Sequence, residues 1–393
     1  TSGPSLGGDT CVVIRDTQTY SERVEVRGFT NNDFQFKILS DPSFVSSAPV
    51  VNPHAFSTAG FFVQNTSVTI LNVSVISTNS VSYGVFASSN YVTISSVNVD
   101  AGGNITQAGM RISSWTAISY SSVTVFGAHG LRVDGILNTV SYTNAVTSGT
   151  AIYALYLNAA SSNAFSVLLA SNPAGFAGYL AANSNSNVII LSTFSSNSSA
   201  HSALYLTGAG SNTVSGSYIF SSAGSGIFLT NASSFNRMAS SFFAAPAQNG
   251  VVINGRSNNN TLTLSTATSA SSSYSAIELS GVSSNTISDS YAFNSAGIGI
   301  LLTNGASSNT IASSIIAAPA HYGLVMNTNA YGNILTQSTA TSSGVGYSAL
   351  GLSNTSSNTV RGSYLFNSAG FGLEMTNNSY LNTIDSSIIS APN

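Results

Sequence analysis

"SNTVSGSYIFSSAG" occupies residues 211–224, returns as "SNTISDSYAFNSAG" at 284–297, and returns again as "SNTVRGSYLFNSAG" at 357–370. Asn212, Asn285 and Asn358 stand 73 residues apart each time. The unit subdivides. Asn212, Asn236, Asn260 and Asn285 are separated by 24, 24 and 25 residues; Asn309, Asn333 and Asn358 repeat those gaps, and Asn382 follows 24 later. Towards the N-terminus, Asn187, Asn163 and Asn138 continue the series, with weaker matches at Thr116, Asn90 and Thr66. About fourteen such units run from about residue 55 to the end.

Each unit carries the same local code. A turn pair such as "SN" precedes a short alternating segment ("TVSGSYI", "TIASSII"), a Gly/Pro/Ala/Ser corner follows, and a second short segment ("GIFL", "GLVM", "AIEL") closes the unit. Segments this short, punctuated by Gly, Ser and Asn, read as strands, and no 3.6-residue apolar stripe appears. A strand-rich unit of about 24 residues cannot bury its own apolar face and must stack on its neighbours. The spacing predicts an all-β, single-stranded parallel β-helix, each turn pairing with the next at about 4.8 Å. The 73-residue period makes it a three-turn super-repeat with distinguishable turns, marked by "SYxFxSAG", by "AAPA" or "APN", and by "STATS". Pro173, Pro246, Pro319 and Pro392 all fall in the second type; proline cannot donate to a ladder, so this position is a corner.

Composition narrows the function classes. Hydrophobic residues make up 43% and charged residues only 5% of the 393-residue chain, far below the usual quarter, so polarity comes from Ser, Thr, Asn and Gly. A net charge of −3 with no basic cluster gives no footprint for nucleic acid. No apolar run is long enough to span a membrane. A single cysteine, Cys11, excludes an internal disulfide framework. The Ser/Thr/Asn-rich, lysine-poor surface suggests an extracellular or cell-surface location.

Residues 1–50 read differently, as an N-terminal cap with the first rungs. They hold nearly half of the charged residues, within alternations such as "VVIRD", "RVEVRGF" and "FQFKIL". The array is then expected over 51–393, with no polar cap at its C-terminal end. "GDTCVVIRDTQTYSERVEV" (8–26) resembles the opening turns of pectate-lyase-like β-helices, and the later "SNTI…SS…N…GI.L" turns resemble the repeats of large bacterial surface and secreted proteins. The resemblance implies a right-handed coil. Its members include polysaccharide lyases and hydrolases, tailspikes, adhesins and passive filaments, so fold alone does not settle function.

Chemistry has few places to sit. Beyond residue 50 the acidic residues are Asp100, Asp134, Glu278, Asp289, Glu374 and Asp385, scattered along the ladder, and no DxD, DD or ExE pair occurs. His54, His201 and His321 are single, so neither a metal nor a cofactor is expected. The densest polar cluster is "AHGLRVD" (128–134), one turn from "GMRIS" (109–113). Turn alignment stacks Arg111 on Arg132 with His129 and Asp134 close by: a ligand patch for a sugar acid or carboxylate, or simply an outward polar patch. The second strand of each turn offers another feature. Its middle residue should face out, and down the ladder it reads Phe62, Phe86, Tyr156, Leu180, Tyr205, Phe228, Val252, Leu301 and Val325 among a few polar residues. Such a stripe marks an interface, unless a same-chain loop covers it or the register is slipped by one residue.

These features favour a structural β-helix without a reactive centre, a segment of a bacterial surface filament or long adhesin whose partners are other copies of itself. The alternative is a polysaccharide-binding or polysaccharide-cleaving protein using Arg111, His129, Arg132 and Asp134. A Thr-bearing face for ice or mineral, suggested by "TLTLSTATS", is a more distant third.

Overall fold

The computed structural model describes residues 3–392, so the expectations attached to Thr1, Ser2 and Asn393 lie outside the described residues. The chain forms two compact units, residues 1–194 and 195–393. Among the described residues every regular element is a strand, and the strands of successive turns pair in parallel. Each unit is a parallel β-solenoid of about 24 residues per turn.

A turn of the second unit shows how the code is read. Thr213–Ser215 and Tyr218–Ser221 form two limbs of a bent sheet, and Ile227–Thr230 lies in a second sheet. The next turn repeats this with Arg237–Ala239, Phe242–Ala245 and Val251–Ile253, paired residue for residue. The first limb keeps one inward residue per turn, and Val214, Met238, Leu262, Ile287, Ile311, Leu335 and Val360 stack in a buried column. The first unit is built alike, although its longer strands Thr139–Val146 and Ala164–Asn172 run through the bend between the two limbs. Segments inside 1–50 join the same ladders: Thr10–Ile14 pairs with Phe36–Ser40, and Val24–Val26 with Ala59–Val63.

The asparagines that define the period are buried and form a ladder of their own. The Asn260 Oδ1 accepts from both the backbone N–H and the side-chain Nδ2 of Asn236, at 2.8 and 3.1 Å. Its Nδ2 donates in turn to Asn285 Oδ1 at 3.1 Å and to the Ser257 carbonyl at 2.9 Å. The same linkage runs from Asn285 through Asn309 and Asn333 to Asn358, and in the first unit from Asn138 through Asn163 to Asn187. A serine ladder at the bend works similarly, with Ser217, Ser241 and Ser265 each donating a backbone N–H to the hydroxyl one turn on.

These ladders explain a local strain. The residue before each ladder asparagine has positive φ: Ser211 59°, Phe235 61°, Asn259 57°, Ser284 59° and Ser308 53°. Non-glycine residues enter this region at a cost of roughly 1–2 kcal/mol, and the two or three hydrogen bonds gained by each buried amide offset it. Glycine is required elsewhere for space: a Cβ on Gly226 would lie 2.5 Å from the Gly250 carbonyl oxygen, where one turn enters the second sheet against the next. Pro173, Pro246 and Pro319 occupy exposed turns, as a missing N–H demands.

Asn260→Ala strands the buried Asn236 backbone N–H and leaves Asn285 Oδ1 with only the backbone N–H of residue 260 as donor from that turn. With about 1–3 kcal/mol for a buried group left unsatisfied, the expected loss is about 1–3 kcal/mol, read as a lowered denaturant midpoint. A change below about 0.5 kcal/mol, ordinary for an exposed site, would show that the ladder is not a stabilising element.

Candidate functional site

The outer face of the second sheet gathers the chain's unusual side chains. Along each of its strands two outward positions lie three residues apart. In the first unit they form two columns: Ala59, Tyr83 and Ala108, which are buried with Phe62 and Phe86 packed against them, then His129, Tyr153 and Phe176; and beside these Phe62, Phe86, Arg111, Arg132, Tyr156 and Tyr179. Sequence reasoning found most of the second column and, of the first, only His129. The signal was present as an aromatic residue or histidine three positions before the expected outward residue, as in "YGVF", "HGLR" and "YALY".

Arg111, His129, Arg132 and Asp134 are brought together as the turn alignment predicts. Arg111 pairs with Arg132 in register. Asp134 projects from the end of the Arg132 strand and receives both guanidinium groups, Arg111 Nε at 2.5 Å and Arg132 Nε at 2.8 Å. Asn158, one turn on, donates Nδ2 to the same carboxylate at 3.3 Å and accepts from the Tyr156 hydroxyl at 3.2 Å. Arg111 also donates Nη1 to the Tyr83 hydroxyl at 2.8 Å, and its guanidinium lies over the Phe86 ring, 4.7 Å from the centroid. Burial works against the Arg111 charge, but Asp134 and the Tyr83 hydroxyl more than offset it and raise its pKa. Among the described residues Arg132 uses only Nε, lies 5.6 Å from the Tyr156 centroid, and has its two terminal nitrogens available for another acceptor.

Around this charged centre the rings are continuous. Phe62 stacks on Phe86 at 5.2 Å, and Tyr83 leans on Phe86 at 4.8 Å. On the other side His129 meets Tyr153 and Tyr156 at 5.0 and 4.8 Å, and Tyr153 stacks on Tyr179 at 4.3 Å with planes 13° apart. Five adjacent turns, from Tyr83 to Phe176, therefore offer an aromatic surface with two arginines and one carboxylate in the middle, about 19 Å long at the strand spacing.

His129 is a neutral member of this surface. Its Nδ1 accepts the Tyr153 backbone N–H at 3.1 Å, which places the ring proton on Nε2. Burial, then the charge of Arg132, pushes its pKa down to about 4, with Asp134 opposing.

Three expectations need correction. Leu180 does not face outward. It pairs with Leu157 and is fully buried, while Tyr179 pairs with Tyr156 and takes the outward place. The turn between Tyr156 and its partner is one residue shorter than assumed, and a one-residue slip exchanges the two faces of a strand. The apolar stripe is also less exposed than expected: Phe62, Phe86, Tyr156, Tyr205, Phe228 and Leu301 are half-buried, and Val252 and Val325 are buried outright.

The third correction concerns function and comes from comparison with known proteins. The family model described as "right handed beta helix region" matches residues 129–274, which accords with the pectate-lyase-like, right-handed fold. No curated protein matches the chain in sequence. Solved structures do. DFA-IIIase from Arthrobacter chlorophenolicus A6 in complex with GF2 is 14% identical over 76% of this chain and 83% of its own, with a TM-score of 0.44. The periplasmic alginate epimerase AlgG is 10% identical over 81% and 77%, with a TM-score of 0.44. Tailspike protein 3 of bacteriophage CBA120 is 10% identical over 93% of this chain and 56% of its own, with a TM-score of 0.38. At this level the likeness is one of fold. The neighbours named are enzymes and a phage tailspike, not filament subunits, and the expectation of a non-enzymatic filament subunit is withdrawn.

Among the described residues no group of three or more His, Cys, Asp or Glu could hold a metal ion, and no helix is long and apolar enough to cross a membrane. A cavity of about 520 Å³ lies among the first turns and not at the arginine cluster; its apolar lining includes the inward Val26, Ile38 and Phe61. The site is assigned to the arginine cluster because polar groups converge there.

A histidine whose folded pKa lies below its unfolded value stabilises the protein fully above about pH 6.5, and that contribution disappears as pH falls towards about 4. The first unit should therefore lose on the order of 2–3 kcal/mol across that window. His129→Gln should flatten the pH dependence of the denaturation midpoint. An unchanged slope in the variant would contradict the assignment.

Proposed function

We propose that the chain acts on polysaccharide outside the cytoplasm and that the outer face of the second sheet in the first unit binds a uronate-bearing glycan. The observation that carries this reading is the Arg111–Asp134–Arg132 cluster set within a five-turn aromatic surface. Two guanidinium groups share one carboxylate, so one positive charge is left over. Arg132 has donors to spare in the planar fork that suits a sugar carboxylate. Flanking rings stack on one another along the axis and present their edges as a row of apolar carbon against which the C–H faces of an extended sugar chain pack. A neutral His129 adds an Nε2–H donor without a competing charge. A narrow pocket would suit a single sugar; a row of rings across several turns suits a polymer.

Calorimetric titration with a uronate oligosaccharide, set against a neutral glucan oligosaccharide of the same length, tests the reading. Loss of a charge-assisted hydrogen bond, about 1.5–3 kcal/mol, predicts that Arg132→Ala weakens uronate binding about 10- to 100-fold, and added salt should weaken it in the wild type. Shortening of the polymer by the wild type, abolished in Arg132→Ala, would extend binding to catalysis. Uronate binding indifferent to Arg132→Ala, or neutral-glucan binding weakened by that variant as much as uronate binding, would overturn the proposal.

A further inference from the structure

The second unit carries a separate trough on its own outer face, and three departures from the 73-residue repeat create it. Where the preceding repeat has Asn249, Glu278 and Leu301, the next has Tyr322, Gly351 and Glu374. Val325, Gly351 and Glu374 are consecutive in one outward column, so the glycine leaves a gap between two side chains. Tyr322 spans that gap. Its ring lies against Gly351, where a Cβ would come 3.3 Å from Cδ1 and Cε1, and its hydroxyl donates to Glu374 Oε2 at 3.2 Å, two turns away. Ser348 donates to the same oxygen at 2.8 Å. Glu374 Oε1 has no hydrogen-bond donor among the described residues.

The result is a cavity of about 290 Å³ with a floor at Val325 and Gly351, an aromatic and carboxylate wall at Tyr322 and Glu374, and an amide and hydroxyl wall at Asn327, Ser353 and Asn377. Asn377 Nδ2 donates to Ser353 Oγ at 3.0 Å, which holds that second wall in place. A carboxylate with one oxygen pinned and the other bare is an acceptor awaiting a donor. The volume is at the small end for a ligand pocket and suits a single ring.

We infer that this trough binds one neutral pyranose residue, with vicinal hydroxyls donating to Glu374 Oε1 and pairing with the Asn/Ser wall while the ring packs on Tyr322. The unpaired negative charge excludes a uronate here, so the trough selects in the opposite sense to the arginine cluster of the first unit. The inference stands on its own residues and does not require the arginine reading.

The test titrates the whole chain, by calorimetry, with neutral gluco- and xylo-oligosaccharides and with a uronate oligosaccharide. One neutral series is expected to bind. Gly351→Val, which fills the gap without demanding an unusual backbone, should cost at least tenfold, and Glu374→Gln should weaken binding severalfold. Tyr322→Phe keeps the ring and the packing while removing the donor that orients Glu374, and should weaken binding by a smaller factor; it serves if Gly351→Val unfolds. Arg132→Ala should leave neutral binding unchanged, and Gly351→Val should leave uronate binding unchanged, so failure of one site is distinguishable from failure of the other. No binding of any neutral oligosaccharide, binding untouched by the Gly351, Glu374 and Tyr322 variants, or tighter binding of the uronate at this trough would overturn the inference.

Discussion

From Asn138 to Asn187 and from Asn212 to Asn358 the turns are held in step by buried asparagines that each serve three polar groups at once. The oxygen takes the backbone N–H and the side-chain N–H of the asparagine before it, and the N–H₂ serves the next turn. A shift of one residue would leave buried donors and acceptors without partners on both sides, so register is tied to a polar network and not to apolar packing alone. This constraint also explains the composition. Parallel stacking brings like positions together at about 4.8 Å, and an ionised side chain in that column would meet its own charge in every turn. An amide is donor and acceptor together and so tolerates a copy of itself on either side.

With register fixed, the remaining positions divide cleanly. Inward columns accept any apolar side chain that fits, as the buried series Val214, Met238, Leu262, Ile287 and Ile311 shows. Outward positions on the second sheet are released from both duties. Within the second unit the super-repeat holds Ile227, Ile300 and Leu373 as an apolar set, while the adjacent outward place changes from Phe228 to Leu301 to Glu374. Variation is concentrated where a ligand can be met, and the ladder that sets stability is untouched by it.

The same division governs what could be read without coordinates. The fold was legible because a 24- or 25-residue asparagine period has few physical solutions, and the "SN" pair correctly announced a turn; that Ser211 and Ser284 take positive φ there was not read from the sequence. The arginine cluster was legible because register alone places Arg111 on Arg132. The aromatic column of Tyr83, Tyr153 and Phe176 was not, because aromatic residues near a strand suit core and surface equally, and only the relation between neighbouring outward positions separates the two. Leu180 was misplaced for a related reason. "GYL" offers two large residues side by side, and a single missing residue in the preceding turn decides which faces in.

The arginine cluster and the trough illustrate how a scaffold with so little charge can still discriminate. In a surface crowded with ionised groups, one more carboxylate alters the local potential little. Here the charged residues outside the first turns are few, so the Arg111–Asp134–Arg132 cluster, with its one surplus positive charge, and Glu374 each dominate their own surroundings within a screening length of about 8–10 Å. Each also sits beside aromatic carbon, which excludes water and strengthens the field at contact distance. The low-charge ladder is therefore more than a support: by keeping the background quiet, it lets a single side chain set the sign of what each part of the face can bind.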